Sequence, residues 1–322
     1  MQRFNPTTFD RGSTGGFHSF QDLMQDRVHE ILLVSSIYES FILEQDGQLD
    51  EGLIAEYQNL GLVHLPRLRR VVSGTAALER VCAAKGPDLI ITTIHVGDMA
   101  ATEFVRRVRS LGVKTPVMLL THDQRELELL RTRGELDAFD KVFLWQGDVR
   151  ILIAIVKYVE DRWNVESDTK LVGVQSIILL EDSVRYYSSF LPSIYSVLFE
   201  HSELVLADSV NRAHRVKRLR ARPKILLCST YEEAKDYFDR YHDNVMGLIS
   251  DVAFLHDGVK DPQAGVDFAM HVRATHPDIP ILLQSSDPRN RRAADEMDAS
   301  FIRKGSRRLI SGLTDFMVDQ LG

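Results

Sequence analysis

Carboxylates, a hydroxyl and an amine follow short aliphatic runs in the second half of the chain. In chain order they are Glu181 and Asp182 in "SIILLEDS", Asp251 in "VMGLISD", Ser285 in "IPILLQSS" and Lys304 in "SFIRKG". Neighbouring carboxylates repel one another unless a cation lies among them, and hard oxygen ligands suit Mg²⁺ or Mn²⁺. A carboxylate is also a competent phosphoryl acceptor. These residue types therefore predict metal-assisted phosphoryl chemistry, provided that the fold brings them together.

We expect each of these residues to have a different role in the phosphoryl chemistry. The metal would bridge Asp251 and the oxygens of an incoming phosphoryl group. Lys304 would pair with another phosphoryl oxygen, and the Ser285 hydroxyl would bond a third. The prediction is a phospho-acceptor site centred on Asp251.

The surrounding pattern indicates how the chain positions these residues. Aliphatic runs typical of strands buried on both faces alternate with stretches of helical spacing. The order recurs, since "GPDLIITT" (86–93) and "TPVMLLT" (115–121) correspond to "NVMGLISD" (244–251) and "IPILLQS" (279–285) at nearly one offset. The sequence thus predicts an α/β protein with two tandem doubly wound domains, each with a five-stranded parallel sheet. Ligands of such sheets bind at the carboxyl ends of the strands.

Composition and charge narrow the class of protein. The chain has 322 residues, two cysteines and a net charge of -7. Nucleic-acid binding is not expected, because it needs a basic excess. A membrane span, a signal peptide and a disulfide framework are not expected either. We therefore expect a cytoplasmic protein, with a flexible arm over 1–28, a first domain over 29–165, a linker over 166–175 and a second domain over 176–322.

The second half, over about 176–321, resembles the receiver domain of bacterial two-component response regulators, whose fold is flavodoxin-like. The resemblance rests on "ILLEDS", "LISD", "PILLQSS" and "FIRKG". It implies the following roles: Asp251 as phospho-acceptor, Glu181 and Asp182 as metal carboxylates, the Ala253 carbonyl as a further metal ligand, Ser285 as switch hydroxyl, Lys304 as the site lysine and Phe301 as aromatic switch.

The second half departs from the receiver pattern at three places. Gly305 stands where the family has proline after the lysine, so the cis peptide usual there is not expected. The loop over 252–265 is long, and an insertion lies at about 201–223. The insertion overlaps a basic run at 211–224, which we interpret as a solvated helix. The inserts are expected to alter access to the site or to dock a partner.

The first half resembles the same fold without its acidic pocket. Ser35 and Ser36 stand at the acidic-pair positions, Thr93 at the acceptor position and Trp145 at the lysine position, while Thr121 fits the switch hydroxyl. No Mg²⁺ site and no acceptor are expected there. The first half is therefore predicted to be a pseudo-receiver.

The main functional hypothesis is a phosphorelay switch. It implies a histidine kinase or phosphotransfer protein as donor, a downstream partner or fused output domain as reader, and a homodimer through the last helical faces as one arrangement. The chain is not expected to be an enzyme beyond accepting phosphoryl groups. An aspartate-nucleophile phosphatase would need a second aspartate where Ala253 stands.

A second hypothesis is a tandem pseudo-receiver scaffold that binds a protein without phosphorylation. The layout is also similar to the N-terminal region of large bacterial proteins related to phosphoenolpyruvate synthase. That similarity would imply regulation of a fused phosphotransferase domain.

Overall fold

The chain forms two units, each built on its own parallel sheet. The computed structural model describes residues 23–44, 49–62, 64–204 and 222–321. The N-terminal unit comprises Arg27–Val159, and the C-terminal unit comprises Met1–Asp26 with Glu160–Gly322. Both units have five parallel strands with helices between them. The predicted fold class, tandem doubly wound α/β, is confirmed.

The N-terminal unit alternates strands and helices. Its elements are β1 (Glu30–Val34), α1 (Ile37–Glu44), α2 (Leu49–Asn59), β2 (Arg67–Val71), α3 (Gly74–Val81), β3 (Leu89–Thr92), α4 (Ala101–Ser110), β4 (Val117–Thr121), α5 (Gln124–Thr132) and β5 (Lys141–Leu144), followed by α6 (Arg150–Val172).

Burial explains the strands of this sheet. The order is β2-β1-β3-β4-β5, so β3 and β4 are central strands. Their residues are all buried, as expected for strands covered by helices on both faces. The edge strand β2, "RLRRV", keeps its residues partly exposed.

The C-terminal unit repeats the alternation with one addition. Its elements are β6 (Ser176–Leu180), α7 (Val184–Leu204), β7 (Lys224–Cys228), α8 (Tyr231–Tyr241), β8 (Val245–Asp251), β9 (Phe254–His256), β10 (Val259–Asp261), α9 (Ala264–Thr275), β11 (Ile281–Ser285), α10 (Arg291–Glu296), β12 (Ser300–Arg303) and α11 (Leu309–Phe316), which continues as a π-helical turn over Met317–Leu321.

The strand order of the C-terminal sheet determines where a ligand site is expected. The five-stranded sheet runs β12-β11-β8-β6-β7, which is the order of the N-terminal sheet seen from the other edge. The chain reverses direction across the sheet between β6 and β8, and such a switch point opens a crevice at the carboxyl ends of the strands.

Among the described residues, no helix is long and apolar enough to cross a bilayer.

The predicted boundaries differ from the observed ones. Helix α6 extends to Val172, so most of the predicted linker over 166–175 is helical. The units divide between Val159 and Glu160 rather than after residue 165. Of the predicted arm, residues 1–22 lie outside the described part, whereas Leu23 is buried against Val174.

A buried polar network explains why α6 belongs to the C-terminal unit beyond residue 160. Asp161 is buried and accepts two hydrogen bonds from the Arg222 guanidinium, at 2.6 and 3.1 Å. The same carboxylate accepts from the Tyr195 hydroxyl and from the Ile225 backbone N–H, each at 2.9 Å. A buried charge is tolerated when it is paired and hydrogen-bonded in this way.

Asp168, two turns further along α6, binds a second buried cation. The Lys224 ammonium lies 2.6 Å from its carboxylate, and both side chains are fully buried. The backbone N–H of Met24 donates to the same carboxylate at 3.1 Å. Arg222 and Lys224 therefore do not belong to a solvated basic helix, as the sequence indicated. The rest of the basic run and most of the 201–223 insertion lie outside the described residues.

Replacing Asp161 by asparagine is expected to lower the free energy of unfolding by about 3–5 kcal/mol, because it leaves the buried Arg222 charge uncompensated. Urea unfolding followed by circular dichroism measures this loss. The matched control is Glu166→Gln on the same helix, where the Glu166–Lys170 ion pair is exposed; this change should leave stability nearly unaltered. Equal small losses in both variants would contradict the role of the network.

Candidate functional site

The sequence-predicted residues meet at the carboxyl edge of the C-terminal sheet. Glu181 follows β6, Asp251 ends β8, Ser285 ends β11 and Lys304 follows β12. Glu181 is 0% exposed, Asp251 8% and Lys304 6%. The fold thus places two carboxylates and an ammonium group in a pocket that is largely closed to water.

Lys304 joins the two buried carboxylates. Its Nζ atom lies 2.5 Å from Glu181 Oε2 and 2.6 Å from Asp251 Oδ2. The backbone N–H of Lys304 donates to the Ser285 carbonyl at 2.8 Å, which fixes the start of the lysine side chain relative to β11. The ammonium group also lies 4.5 Å from the ring centroid of Tyr186, a cation–π contact.

The ion pairs shift the pKa values of the site. Burial lowers the pKa of the Lys304 amine, but the charges of Glu181 and Asp251 raise it by more, so the net shift is upward. Burial raises the pKa of Glu181 to about 7, because the opposing attraction of Lys304 is partly offset by repulsion from Asp251. With Glu181 ionised, one ammonium group faces two carboxylates, so the pocket then carries a net negative charge that a further cation could compensate.

The acidic residues form a suitable donor set for such a cation. Glu181, Asp182 and Asp251 each offer one oxygen, and these atoms lie within 4.8 Å of one another. An all-oxygen set fits Mg²⁺ or Mn²⁺. The backbone N–H groups of Val252 and Ala253 donate to Asp251 Oδ1 at 2.7 and 3.5 Å, which orients the carboxylate. A metal-ligand role for the Ala253 carbonyl stays a prediction.

Gly265 has a positional role that the sequence did not reveal. It is the second residue of α9, and its N–H donates to the Val252 carbonyl at 2.9 Å. A Cβ atom at this position would lie 2.0 Å from the Asp251 carbonyl oxygen. Only glycine therefore lets α9 approach the strand end that carries Asp251.

Ser285 lies at the end of β11 and Phe301 lies on β12, next to the site. The Ser285 hydroxyl accepts hydrogen bonds from the Asn290 side chain at 2.8 Å and from the Asp287 N–H at 3.1 Å. The half-buried ring of Phe301 lies 5.1 Å from the Arg291 guanidinium. Gly305 follows a trans peptide bond and has φ of 80°. The switch roles of Ser285 and Phe301 remain predictions.

The long 252–265 loop brings a second lysine to the pocket. Strands β9 and β10 form an antiparallel hairpin. Asp257 and Gly258 at its tip have φ of 50° and 76°, as in a type I′ turn. The Lys260 ammonium, on β10, lies 2.5 Å from Asp182 Oδ2. The sequence predicted an insert that alters access to the site, but not the cation that it carries.

The corresponding edge of the N-terminal sheet is occupied by other groups. Ser35 and Thr93 are buried, the Ser35 hydroxyl lies 2.6 Å from that of Ser40, and the Thr93 hydroxyl donates to the His95 carbonyl. Trp145 is 7% exposed and directly follows β5, as Lys304 follows β12. This region also contains ionisable side chains that the sequence did not bring together, among them the buried carboxylate of Glu39.

Comparison with known proteins gives a likeness to solved structures only. No protein-family model and no curated protein matches the chain. A structure described as a two-component system response regulator/GGDEF domain protein is 14% identical, with 91% of this chain and 99% of that chain covered and a TM-score of 0.38.

Two further structures cover about half of the chain. The signal receiver domain of an HD domain-containing protein from Pseudomonas fluorescens Pf-5 is 23% identical, with 45% of this chain and 99% of that chain covered and a TM-score of 0.30. The phosphorylated cyanobacterial phytochrome response regulator RcpA is 20% identical, with 43% and 94% covered and a TM-score of 0.31. Because these sequence identities and TM-scores are low, only the geometry of this chain bears on the roles of individual residues.

The raised pKa of Glu181 predicts a pH-dependent stability. Between its ordinary value of 4.5 and about 7, the folded state keeps a proton that the unfolded state has released. Stability should therefore fall as pH rises through this window, by a contribution on the order of 3 kcal/mol. Urea unfolding at several pH values in EDTA measures the slope. Glu181→Gln should remove this contribution, whereas Glu200→Gln, at an exposed position, should keep it; an unchanged slope in Glu181→Gln would refute the assignment.

The Lys260 contact predicts a competition with metal. Lys260→Ala should raise the Mg²⁺ affinity of the chain about threefold, because an exposed ion pair to Asp182 no longer has to be broken. Isothermal titration calorimetry measures the change. Lys235→Ala removes a lysine of the same unit that pairs with Asp239 instead and should have no effect. Equal or weaker Mg²⁺ binding in Lys260→Ala would count against the competition.

Proposed function

We propose that the C-terminal unit accepts a phosphoryl group on Asp251 and acts as the receiver of a phosphorelay. The observation that carries the proposal is the pair of ion contacts from Lys304 Nζ to Glu181 and Asp251, at 2.5 and 2.6 Å. This arrangement holds an acceptor carboxylate beside one fixed cation and two further carboxylates at the carboxyl edge of the sheet.

The proposed reaction is a direct transfer. An Asp251 oxygen forms a bond to phosphorus while the bond from phosphorus to the donor breaks. The donor is the imidazole nitrogen of a phosphohistidine, on a histidine kinase or phosphotransfer protein, or the acyl oxygen of acetyl phosphate. The leaving group keeps the bonding electron pair, and a departing imidazole takes a proton from solvent. The product is an acyl phosphate on Asp251.

The remaining residues of the pocket support this transfer. Glu181, Asp182 and Asp251 would hold Mg²⁺ or Mn²⁺, which supplies charge neutralisation for the incoming phosphoryl oxygens. Lys304 would exchange one of its carboxylate partners for a phosphoryl oxygen. The Ala253 carbonyl would complete the protein ligands.

The consequence would be a change of surface. An aspartyl phosphate adds a charge of about -1.5 to -2 at pH 7. The Ser285 hydroxyl and Lys304 would be drawn towards it, and Phe301 on β12 would follow. A downstream partner or a fused output domain would then bind the altered face formed by β11, β12 and their helices.

A second candidate function is a scaffold that binds a partner without phosphorylation. The contacts of Lys304 and Lys260 favour it, because the two ammonium groups already compensate part of the negative charge of the pocket. In that case the pocket would hold one stable state, and the phosphodonor would have no effect.

The test is the intact mass of the full chain after incubation with acetyl phosphate and Mg²⁺. The parent should gain one phosphoryl group, about 80 Da. Asp251→Asn should gain none, while Asp267→Asn, an exposed aspartate on α9, should gain as much as the parent. No gain in the parent, or an equal gain in Asp251→Asn, would contradict the proposal.

A further inference from the structure

Glu39 is a buried carboxylate at the edge of the N-terminal sheet where the acidic pocket was expected to be absent. It lies in the first turn of α1 and is 3% exposed. The Ser36 hydroxyl accepts a hydrogen bond from the Glu39 backbone N–H at 3.2 Å, which starts the helix at this point. Burying a carboxylate costs free energy unless a cation or hydrogen bonds compensate its charge. The groups around Glu39 therefore determine which role its carboxylate can have.

Two histidines and a second glutamate surround Glu39. His95 comes from the loop after β3, His122 directly follows β4, and Glu126 lies in the first turn of α5. Asp123 caps that helix by accepting from the N–H groups of Arg125 and Glu126. All four ionisable side chains thus come from segments that begin at the carboxyl edge of the sheet.

The distances between the donor atoms fit a shared metal ion. Nε2 of His95 lies 3.1 Å from Glu126 Oε1, and Nδ1 of His122 lies 3.5 Å from Glu39 Oε2. Glu39, His95 and Glu126 each offer a ligand atom within 4.8 Å of the others. Ligand atoms that share a tetrahedral ion at about 2.1 Å lie about 3.4 Å apart, so these three ligand atoms would have to shift to bind one ion, and His122 would join them beside Glu39.

The contacts of the His122 ring are not those of a well-formed ion pair. Its Nδ1 atom is buried and has no hydrogen-bond partner in the described part of the chain. The 3.5 Å separation from Glu39 is too long for a good N–H···O bond, which is 2.7–3.2 Å. The His122 imidazole is 30% exposed and lies beside the buried Glu39 carboxylate, so both groups can offer a ligand atom to an ion bound next to them.

We propose that the N-terminal unit binds a divalent transition-metal ion, with Zn²⁺ as the fitting representative, through Glu39, His95, His122 and Glu126. Two imidazole nitrogens with two carboxylate oxygens are a mixed donor set that suits Zn²⁺ and its neighbours better than Mg²⁺. The all-oxygen pocket around Asp251 has the opposite preference. The two units would therefore bind different metals at equivalent edges of equivalent sheets.

The proposed ligands differ in how far their side chains are exposed to solvent. Glu39 is fully enclosed, whereas the side chains of His95 and Glu126 are 61% and 36% exposed. The ion would thus be held from the protein side by Glu39 and from the solvent side by His95, Glu126 and His122, whose side chain is 30% exposed. The bound ion would tie α1 to the ends of β3 and β4, since each contributes a ligand or lies next to one.

The test is metal binding by the full chain after treatment with a chelator. Isothermal titration calorimetry should show one Zn²⁺ bound in the presence of excess Mg²⁺, and Co²⁺ should give visible d–d absorption. The double variant His95→Ala/His122→Ala should lose at least tenfold in Zn²⁺ affinity and lose the Co²⁺ bands. Glu126→Gln, at a partly exposed position, should weaken binding without disturbing the fold.

The control variant is His276→Ala. His242 and His276 in the C-terminal unit lie 3.0 Å apart and are the competing histidine pair of the described chain. Breaking that pair by removing His276 should leave Zn²⁺ binding and the Co²⁺ spectrum unchanged. No Zn²⁺ binding by the parent, or binding that is lost in His276→Ala and kept in the double variant, would overturn the proposal. Because Asp251 is not a ligand, Asp251→Asn should bind Zn²⁺ like the parent.

Discussion

The arrangement of the C-terminal unit depends on one constraint: two carboxylates are buried side by side and share a single ammonium group. Glu181 and Asp251 would repel each other strongly in this closed pocket without Lys304. Lys304 follows β12, which pairs with β11, and Gly265 lets α9 pack against the end of β8 that carries Asp251. Strand order, one glycine and one ammonium group together create a closed acidic pocket at the carboxyl edge of the sheet.

The two units show how one scaffold can carry different chemistry at the same edge. Each sheet reverses its strand order next to the first strand of the unit, so each has a crevice at the carboxyl ends of its strands. In the C-terminal unit, the strand ends carry the carboxylates of Glu181 and Asp251. In the N-terminal unit the strand ends carry hydroxyls, and the ionisable groups are those of His95, His122 and the helical Glu39. The two edges therefore differ in which segments carry their ionisable side chains.

The fold and the meeting of Glu181, Asp251 and Lys304 could be predicted from the sequence, because continuous aliphatic runs mark buried parallel strands and their ends converge. The roles of these residues stay predictions. The extent of α6 could not, since Asp161 and Asp168 look like solvent-facing residues and are in fact buried with Arg222 and Lys224. Lys260 was missed because the hairpin that carries it interrupts the receiver pattern. Glu39 was missed because it lies within a helix rather than at a strand end, although His95 and His122 after neighbouring strands were an available signal.

The central claim is that Asp251 is the residue that takes the phosphoryl group. The most direct measurement is borohydride reduction of the chain after treatment with acetyl phosphate and Mg²⁺, followed by peptide mass spectrometry, because reduction converts an acyl phosphate to a primary alcohol. The account predicts homoserine at position 251 and unaltered carboxylates at Glu181 and Asp182. Reduction at either of those residues, or at none of the three, would contradict it.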